Sequence, residues 1–223
     1  MKENKKDGAL VLFSGGLDST TCLYLALQEN KKVYALSFDY SQRHNVELKC
    51  AKKIVKSLNT PHIITKIDRN IFKGSSLVEK KILISKDSIS KKSIPNTYVP
   101  GRNLLFLSFA SSVAESNGLN RIYIGVNALD YSGYPDCRPE FIKSFQKTVQ
   151  LGTKAGVQGK SIKIITPLLK MKKKEIVLLA KKLQVPFSWT HSCYDPKLDK
   201  PCGHCESCLL RKKGFEEAGI VDK

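Results

Sequence analysis

The sequence predicts an α/β fold, a Rossmann-like parallel sheet with helices on both faces, followed by a small metal-binding module. Three observations carry this. Short apolar runs of strand length alternate with amphipathic stretches of helix length along most of the 223 residues. A glycine-rich turn joins the first such run to the first helix, and in α/β sheets ligands bind beyond the carboxyl ends of the strands. Cys193, Cys202, Cys205 and Cys208 crowd together near the end of the chain, whereas Cys22, Cys50 and Cys137 are scattered.

The elements follow in order. Residues 9–13 form a short apolar run ending in Ser-Gly-Gly, which marks a buried strand. A helix is predicted from about residue 19 to 29, with Leu23, Ala26 and Leu27 on one face. Residues 33–38 give a second strand and 62–67 a third. Between them, residues 46–58 carry apolar Leu48, Ala51, Ile54, Val55 and Leu58 at helical spacing. Residues 69–99 break the rhythm. Rich in Lys and Ser, they hold little apolar pattern beyond 82–84, and they are expected to form a long, lid-like excursion. The alternation resumes with a helix at 104–116, a strand at 121–125, a helix at 140–151, a strand at 163–166 and a helix at 172–183. The expected division is a nucleotide-handling domain over 8–187 and a C-terminal metal module with a helix over 188–223.

Composition narrows the class. With 41% hydrophobic residues the chain suits one compact domain. No stretch approaches the roughly 18 apolar residues of a membrane span. The charged start lacks the apolar run and small-residue site of a signal peptide. The expectation is a cytoplasmic protein with no membrane partner. The net charge of +18 comes mostly from lysine. Nucleic-acid grooves more often pair arginine with aromatics, so the surplus reads as a basic surface that attracts anionic nucleotides. No obligate nucleic acid is expected.

The turn reads Ser14-Gly15-Gly16-Leu17-Asp18-Ser19-Thr20-Thr21. Two glycines let the backbone turn sharply and approach a ligand, and successive N–H groups then form an anion nest. The helix start adds the positive end of its dipole, and the hydroxyls add donors. The lysine of the Walker pattern is missing, so this is not an ordinary nucleoside-triphosphatase loop. A plain turn with a Ser/Asp helix cap is the simpler alternative.

The string Ser14 to Ser19 resembles the pyrophosphate loop of the N-type ATP-pyrophosphatases. The resemblance implies an adenine nucleotide alpha hydrolase-like sheet and ATP bound by Phe13, Ser14, Gly15, Gly16, Leu17, Asp18, Ser19, Thr20, Thr21, Cys22 and Leu23. Asp18 would help hold Mg²⁺ against the phosphates, and residues 36–38 would lie along the adenine. Four more strings narrow the family. They are Phe38-Asp39-Tyr40-Ser41-Gln42-Arg43-His44, Pro95 through Asn103, Gly125 through Arg138, and Thr166-Pro167-Leu168 with Lys173 and Glu175. Together they are similar to the 7-cyano-7-deazaguanine synthases, and the match runs from about Leu10 to Arg211. Ser41 departs from the more usual glycine, which predicts a strained turn there. Residues 69–94 match poorly.

This family resemblance implies ATP, ammonia and 7-carboxy-7-deazaguanine as substrates, and a homodimer. Turning a carboxylate into a nitrile removes both oxygens, so two adenylations are expected, each releasing pyrophosphate and AMP. The implied base presents donor groups that a carboxylate accepts, which Asp130 or Asp136 could supply. Arg102 and Arg138 are candidates for a carboxylate or phosphate, and Lys173 is a point-charge partner for phosphate. Asp18, Arg102 and Lys173 are the catalytic candidates. Rivals are a tRNA-modifying relative that transfers sulfur or forms lysidine, and a zinc-ribbon nucleic-acid module, which leaves the glycine loop unexplained.

The spacing Cys193-x8-Cys202-x2-Cys205-x2-Cys208 supplies four thiolates over a short span. Four sulfurs fit a closed tetrahedral zinc site, although spacing alone also allows an iron–sulfur cluster. With the family resemblance the expectation is one structural Zn²⁺. His204 lies between two of the ligands and is left out, since four thiolates fill the shell.

Overall fold

The computed structural model describes residues 5–89, 94–128 and 133–222. Five parallel strands form one sheet: β1 (Lys6–Leu12), β2 (Asn30–Asp39), β3 (His62–Lys66), β4 (Arg121–Tyr123) and β5 (Lys163–Ile165), in the order β3-β2-β1-β4-β5. The register sets Leu10 against Tyr34 on one side and against Ile122 on the other, and Ile122 in turn against Ile164.

Among the described residues the helices are α1 (Leu17–Glu29), α2 (Val46–Ser57), α3 (Arg102–Ser116), α4 (Pro139–Gly152), the four-residue α5 (Lys154–Val157), α6 (Lys173–Lys182) and α7 (Glu206–Ala218), the last two following the final strand. Alternation along β1 feeds two cores. Leu10 and Leu12 join Leu36 and Ile122 beneath Leu107 and Ala110 of α3 and Ile142 and Phe145 of α4. Ala9 and Val11 join Ala35 and Tyr123 against Leu23 and Ala26 of α1, Ala51 and Ile54 of α2, and Ile176 of α6. Both faces of β1 are buried, which explains its unbroken apolar run. Among the described residues no helix is long and apolar enough to cross a membrane.

Two boundaries differ from the sequence reading in ways that matter. Helix α1 begins at Leu17, because Gly16 already has extended backbone and serves as N-cap, so Asp18 lies in the first turn. Helix α3 begins at Arg102, after Gly101 at φ 63°, so Arg102 is its first residue and not a loop residue. Ser41 adopts φ 53°, the left-handed conformation that favours glycine. Its N–H donates to the Asp39 carboxylate at 3.2 Å.

The described part of the excursion is packed. Arg43 donates to the carbonyls of Ser76 and Ile82 at 3.2 Å each. Ser75, Ser76, Ile84, Thr97 and Val99 are buried. The excursion ends against the cysteine cluster, where Ile84 packs on Cys193 and Cys205.

The chain's end is tied to α6. Phe215 of α7 joins Val177, Ala180 and Leu183 in one apolar cluster. The Arg211 guanidinium donates to the Phe187 and Thr190 carbonyls and pairs with Asp222 at 2.6 Å. At the crossing a Cβ on Gly214 would lie 2.4 Å from Lys173 Cγ and 2.9 Å from its Cβ, so only glycine lets the helices meet. Gly→Ala within a helix ordinarily stabilises by about 1 kcal/mol. Gly214→Ala is expected to do the opposite and lower unfolding stability by roughly 1–3 kcal/mol through overpacking, measured by urea unfolding.

Candidate active site

A cavity of about 300 Å³ opens beyond the carboxyl ends of β1, β2 and β4. The chain leaves β1 on one side and β4 on the other in opposite directions across the sheet, and such a reversal opens a crevice. Into it points the turn Ser14–Gly16. Gly15 sits at φ +89°, and a Cβ there would lie 2.4 Å from the Glu47 carbonyl oxygen and 2.7 Å from the Ala51 nitrogen. The turn is therefore pressed directly against α2, and only glycine fits. Ser14 and Ser19 hold it from within, their hydroxyls 3.1 Å apart, while the Gly16 N–H donates to Ser14 Oγ at 3.2 Å. Gly16 offers no side chain as N-cap, so the first-turn N–H groups of α1 have no side-chain cap. Uncapped N–H groups with the helix dipole behind them make an anion site.

The eleven residues expected around ATP divide into two sets. Phe13, Ser14, Gly16, Leu17, Asp18 and Ser19 line the cavity. The others support it from behind. The Thr20 and Thr21 hydroxyls donate to the Gly16 and Leu17 carbonyls at 2.7 and 2.8 Å. Cys22 and Leu23 are fully buried in the core beneath α1.

All three catalytic candidates line this one cavity. Lys173 Nζ donates to both oxygens of Asp18, at 2.9 and 2.7 Å. Asn127, four residues past the end of β4, donates to Asp18 Oδ2 at 2.8 Å. Lys173 starts α6, whose first turn is fixed by Glu175, which accepts the Lys172 N–H at 2.7 Å. Arg102 enters from the start of α3. Burial works against its charge, but the neighbouring Tyr40, Cys137 and Tyr134, with a hydrogen bond to Tyr40, outweigh that and raise its pKa.

The base-binding candidates are placed differently. Asp130 lies outside the described residues. The buried Asp136 accepts the Asn103 N–H at 2.8 Å, so its carboxylate closes the start of α3. Arg138 is exposed as N-cap of α4. The cavity wall there is aromatic: Phe106 stacks on Phe38 with centroids 3.9 Å apart, and the Tyr134 and Thr97 hydroxyls bond at 2.8 Å.

Sequence reasoning gave no role to Asn127, which bonds the cavity-lining Asp18, or to Glu47, which lines the cavity itself. Asn127 stood inside a quoted string with no role attached. Glu47 stands between two buried apolar residues, Val46 and Leu48, at the start of α2. A lone acid there is the signal that could have found it. Burial pushes its carboxyl up to about 7 against the opposing pull of Arg102.

The Sγ atoms of Cys193, Cys202, Cys205 and Cys208 all lie within 4.8 Å of one another and could hold a metal ion. Cys205 and Cys193 sulfurs are 4.0 Å apart. Backbone N–H groups point at the sulfurs, from Asp195 and Cys202 to Cys193 and from His204 and Cys205 to Cys202, at 3.2 to 3.4 Å. Such donors favour thiolates. His204 turns away and pairs with the Asp87 carboxylate at 2.8 Å.

The chain is similar to known proteins over nearly its whole length. The family model described as Queuosine biosynthesis protein QueC matches residues 8–219. A 7-cyano-7-deazaguanine synthase of Leptospira interrogans is 60% identical over 221 residues, covering 99% of this chain and 91% of its own. A protein of the same name from Acetivibrio thermocellus is 54% identical over 215 residues, covering 96% and 95%. Among solved structures, NMN synthetase from Francisella tularensis superposes with TM-score 0.52 at 14% identity, covering 98% of this chain and 79% of its own, a likeness of fold.

Proposed function

The chain belongs to the QueC family, and on that basis we propose that it carries out the reaction its relatives are named for. It is an ATP-dependent carbon–nitrogen ligase. 7-Carboxy-7-deazaguanine and ammonia become 7-cyano-7-deazaguanine, a step of queuosine precursor synthesis, through an adenylated acid, an amide and an adenylated amide. The observation that supports this best is the uncapped start of α1 with Asp18 and Lys173 paired beside it at the β1/β4 crevice.

The residues divide the work. The first-turn N–H groups of α1 and the Ser14–Gly16 turn cradle the phosphates. Phe13, Leu36 and Phe38 give the adenine an apolar wall. Lys173 offers a cation to the phosphates and Arg102 a fork of donors to the substrate carboxylate. Phe106 and Tyr134 border the space for the planar base, and Asp130, Asp136 and Arg138 remain the proposed base contacts. The work is chiefly positioning and charge stabilisation at the leaving pyrophosphate.

Two metals complete the proposal. A single carboxylate beside a phosphate cradle suits Mg²⁺, which keeps most of its shell as water and phosphate oxygens. Asp18 would hold it, and the ion would neutralise the pyrophosphate charge. The cysteine sulfurs fit Zn²⁺, since bonds of about 2.3 Å put tetrahedral sulfurs roughly 3.8 Å apart. We assign residues 8–187 to the ATP-pyrophosphatase domain and 188–223 to the zinc module, in a cytoplasmic homodimer that needs no nucleic acid and no membrane.

Incubation with ATP, ammonia and the free base tests the assignment. Chromatography should find AMP and pyrophosphate, two of each per nitrile, without RNA; ADP as the direct product would contradict it. A second test concerns the metal. Binding energy at a closed site is largely folding energy. Cys205→Ser should therefore lose zinc and melt at lower temperature together, read by metal analysis and a melting curve on one sample. A variant without zinc that melts normally but is inactive would make the metal catalytic.

A further inference from the structure

The cavity holds two carboxylates of opposite circumstance among the described residues that line it: Asp18 and Glu47. Asp18 is engaged on both oxygens by Lys173 and Asn127. No hydrogen bond or ion pair holds the Glu47 carboxylate among the described residues. It stands in the first turn of α2, one of its oxygens 3.9 Å from where a Cβ on Gly16 would lie, beside the phosphate turn. Its helix cannot shift without disturbing the turn, because Gly15 is pressed against the Glu47 carbonyl. The position is rigid and the functional group is unengaged.

The groups around it are these. Arg102 faces it from the start of α3, Tyr40 from the end of β2, and Cys50 lies one turn on in α2. Arg43 and His44 line the same cavity from the segment before α2, Lys173 from α6 and Arg211 from α7. The Tyr40 phenol and Cys50 thiol are both pushed up, first by burial, and stay neutral near pH 7. Burial pushes His44 down, so it too stays neutral. Glu47 is thus the described acid in this cavity whose charge state is open near neutrality.

We propose that Glu47 is the catalytic base of the ammonia-consuming step. This rests on the reaction assigned above. The nitrogen lone pair forms the C–N bond to the adenylated carboxyl carbon. One N–H proton of the adduct passes to a Glu47 oxygen. The C–O bond to AMP breaks, and AMP leaves with the bonding pair. The products are the amide, AMP and one proton on Glu47, which solvent removes. A carboxyl tuned to about 7 by burial suits this task better than an ordinary carboxylate, because a base works best with its pKa near the operating pH. The ionised form is the active one, so the rate per unprotonated ammonia should rise as pH climbs through about 7.

The test separates this step from adenylation. Base-dependent exchange of labelled pyrophosphate into ATP reports activation of the acid alone, and amide plus nitrile formation reports the ammonia step. In Glu47→Gln, exchange should stay within about threefold of the parent, while product formation falls roughly 100- to 10,000-fold. Hydroxylamine, largely unprotonated at neutral pH, should recover much of the trapping rate, and Glu47→Asp should recover part of the ammonia rate. In the parent enzyme the limb near pH 7 should appear in product formation and not in exchange, which tests the proposal even if the variants fold poorly. Product formation by Glu47→Gln at the parent rate, loss of exchange together with product in a normally melting variant, or a parent profile without that limb would each overturn the proposal. Absence of exchange in the parent would instead overturn the assigned reaction, and this proposal with it.

Discussion

Asp18 and Lys173 are 155 residues apart in the chain and 2.7 Å apart in space. Their contact joins the first turn of α1 to the first turn of α6 across the crevice where the sheet order reverses. Both side chains are about four-fifths buried, so removing either would leave a charge with poor solvation. The pair also bears on the proposed phosphate cradle. A bare carboxylate in the first turn of α1 would repel an anion drawn to the same helix end. With Lys173 against it the local charge is neutral, and the uncapped N–H groups prevail.

Much of the remaining architecture serves that contact. Asn127 fixes the second carboxylate oxygen from the β4 side. Gly214 lets α7 press against Lys173, and Arg211 anchors α7 to the segment that runs into Cys193. The cysteine cluster and the excursion over Ile84 hold that segment in place. The C-terminal segment therefore bears on the proposed nucleotide site through packing, with its sulfurs engaged by backbone N–H groups and by one another.

The parts of the fold legible in the sequence were those written in local pattern. Apolar runs marked β1 and β2, glycines marked the turn, and spacing marked the four cysteines. The departure from the family's usual glycine at Ser41 pointed to a strained turn, and Ser41 has φ 53°. What stayed hidden was pairing between distant residues. Nothing local shows that the Asp136 carboxylate also closes the start of α3 through the Asn103 N–H. Thr20 and Thr21 look like phosphate donors until the helix turns their hydroxyls onto its own carbonyls. Glu47 carries no motif at all, and its meaning depends on burial that only the packed α2 supplies.

In the proposed function Asp18 anchors Mg²⁺ at the cleaved phosphates, with Lys173 beside it. The most direct measurement is the magnesium dependence of base-dependent ATP–pyrophosphate exchange in the parent enzyme and in Asp18→Asn. An amide is a poor magnesium ligand. The variant should keep its melting temperature and lose nearly all exchange at magnesium concentrations that saturate the parent. Near-normal exchange with unchanged magnesium dependence would show that Asp18 only closes the helix start, and would contradict the account.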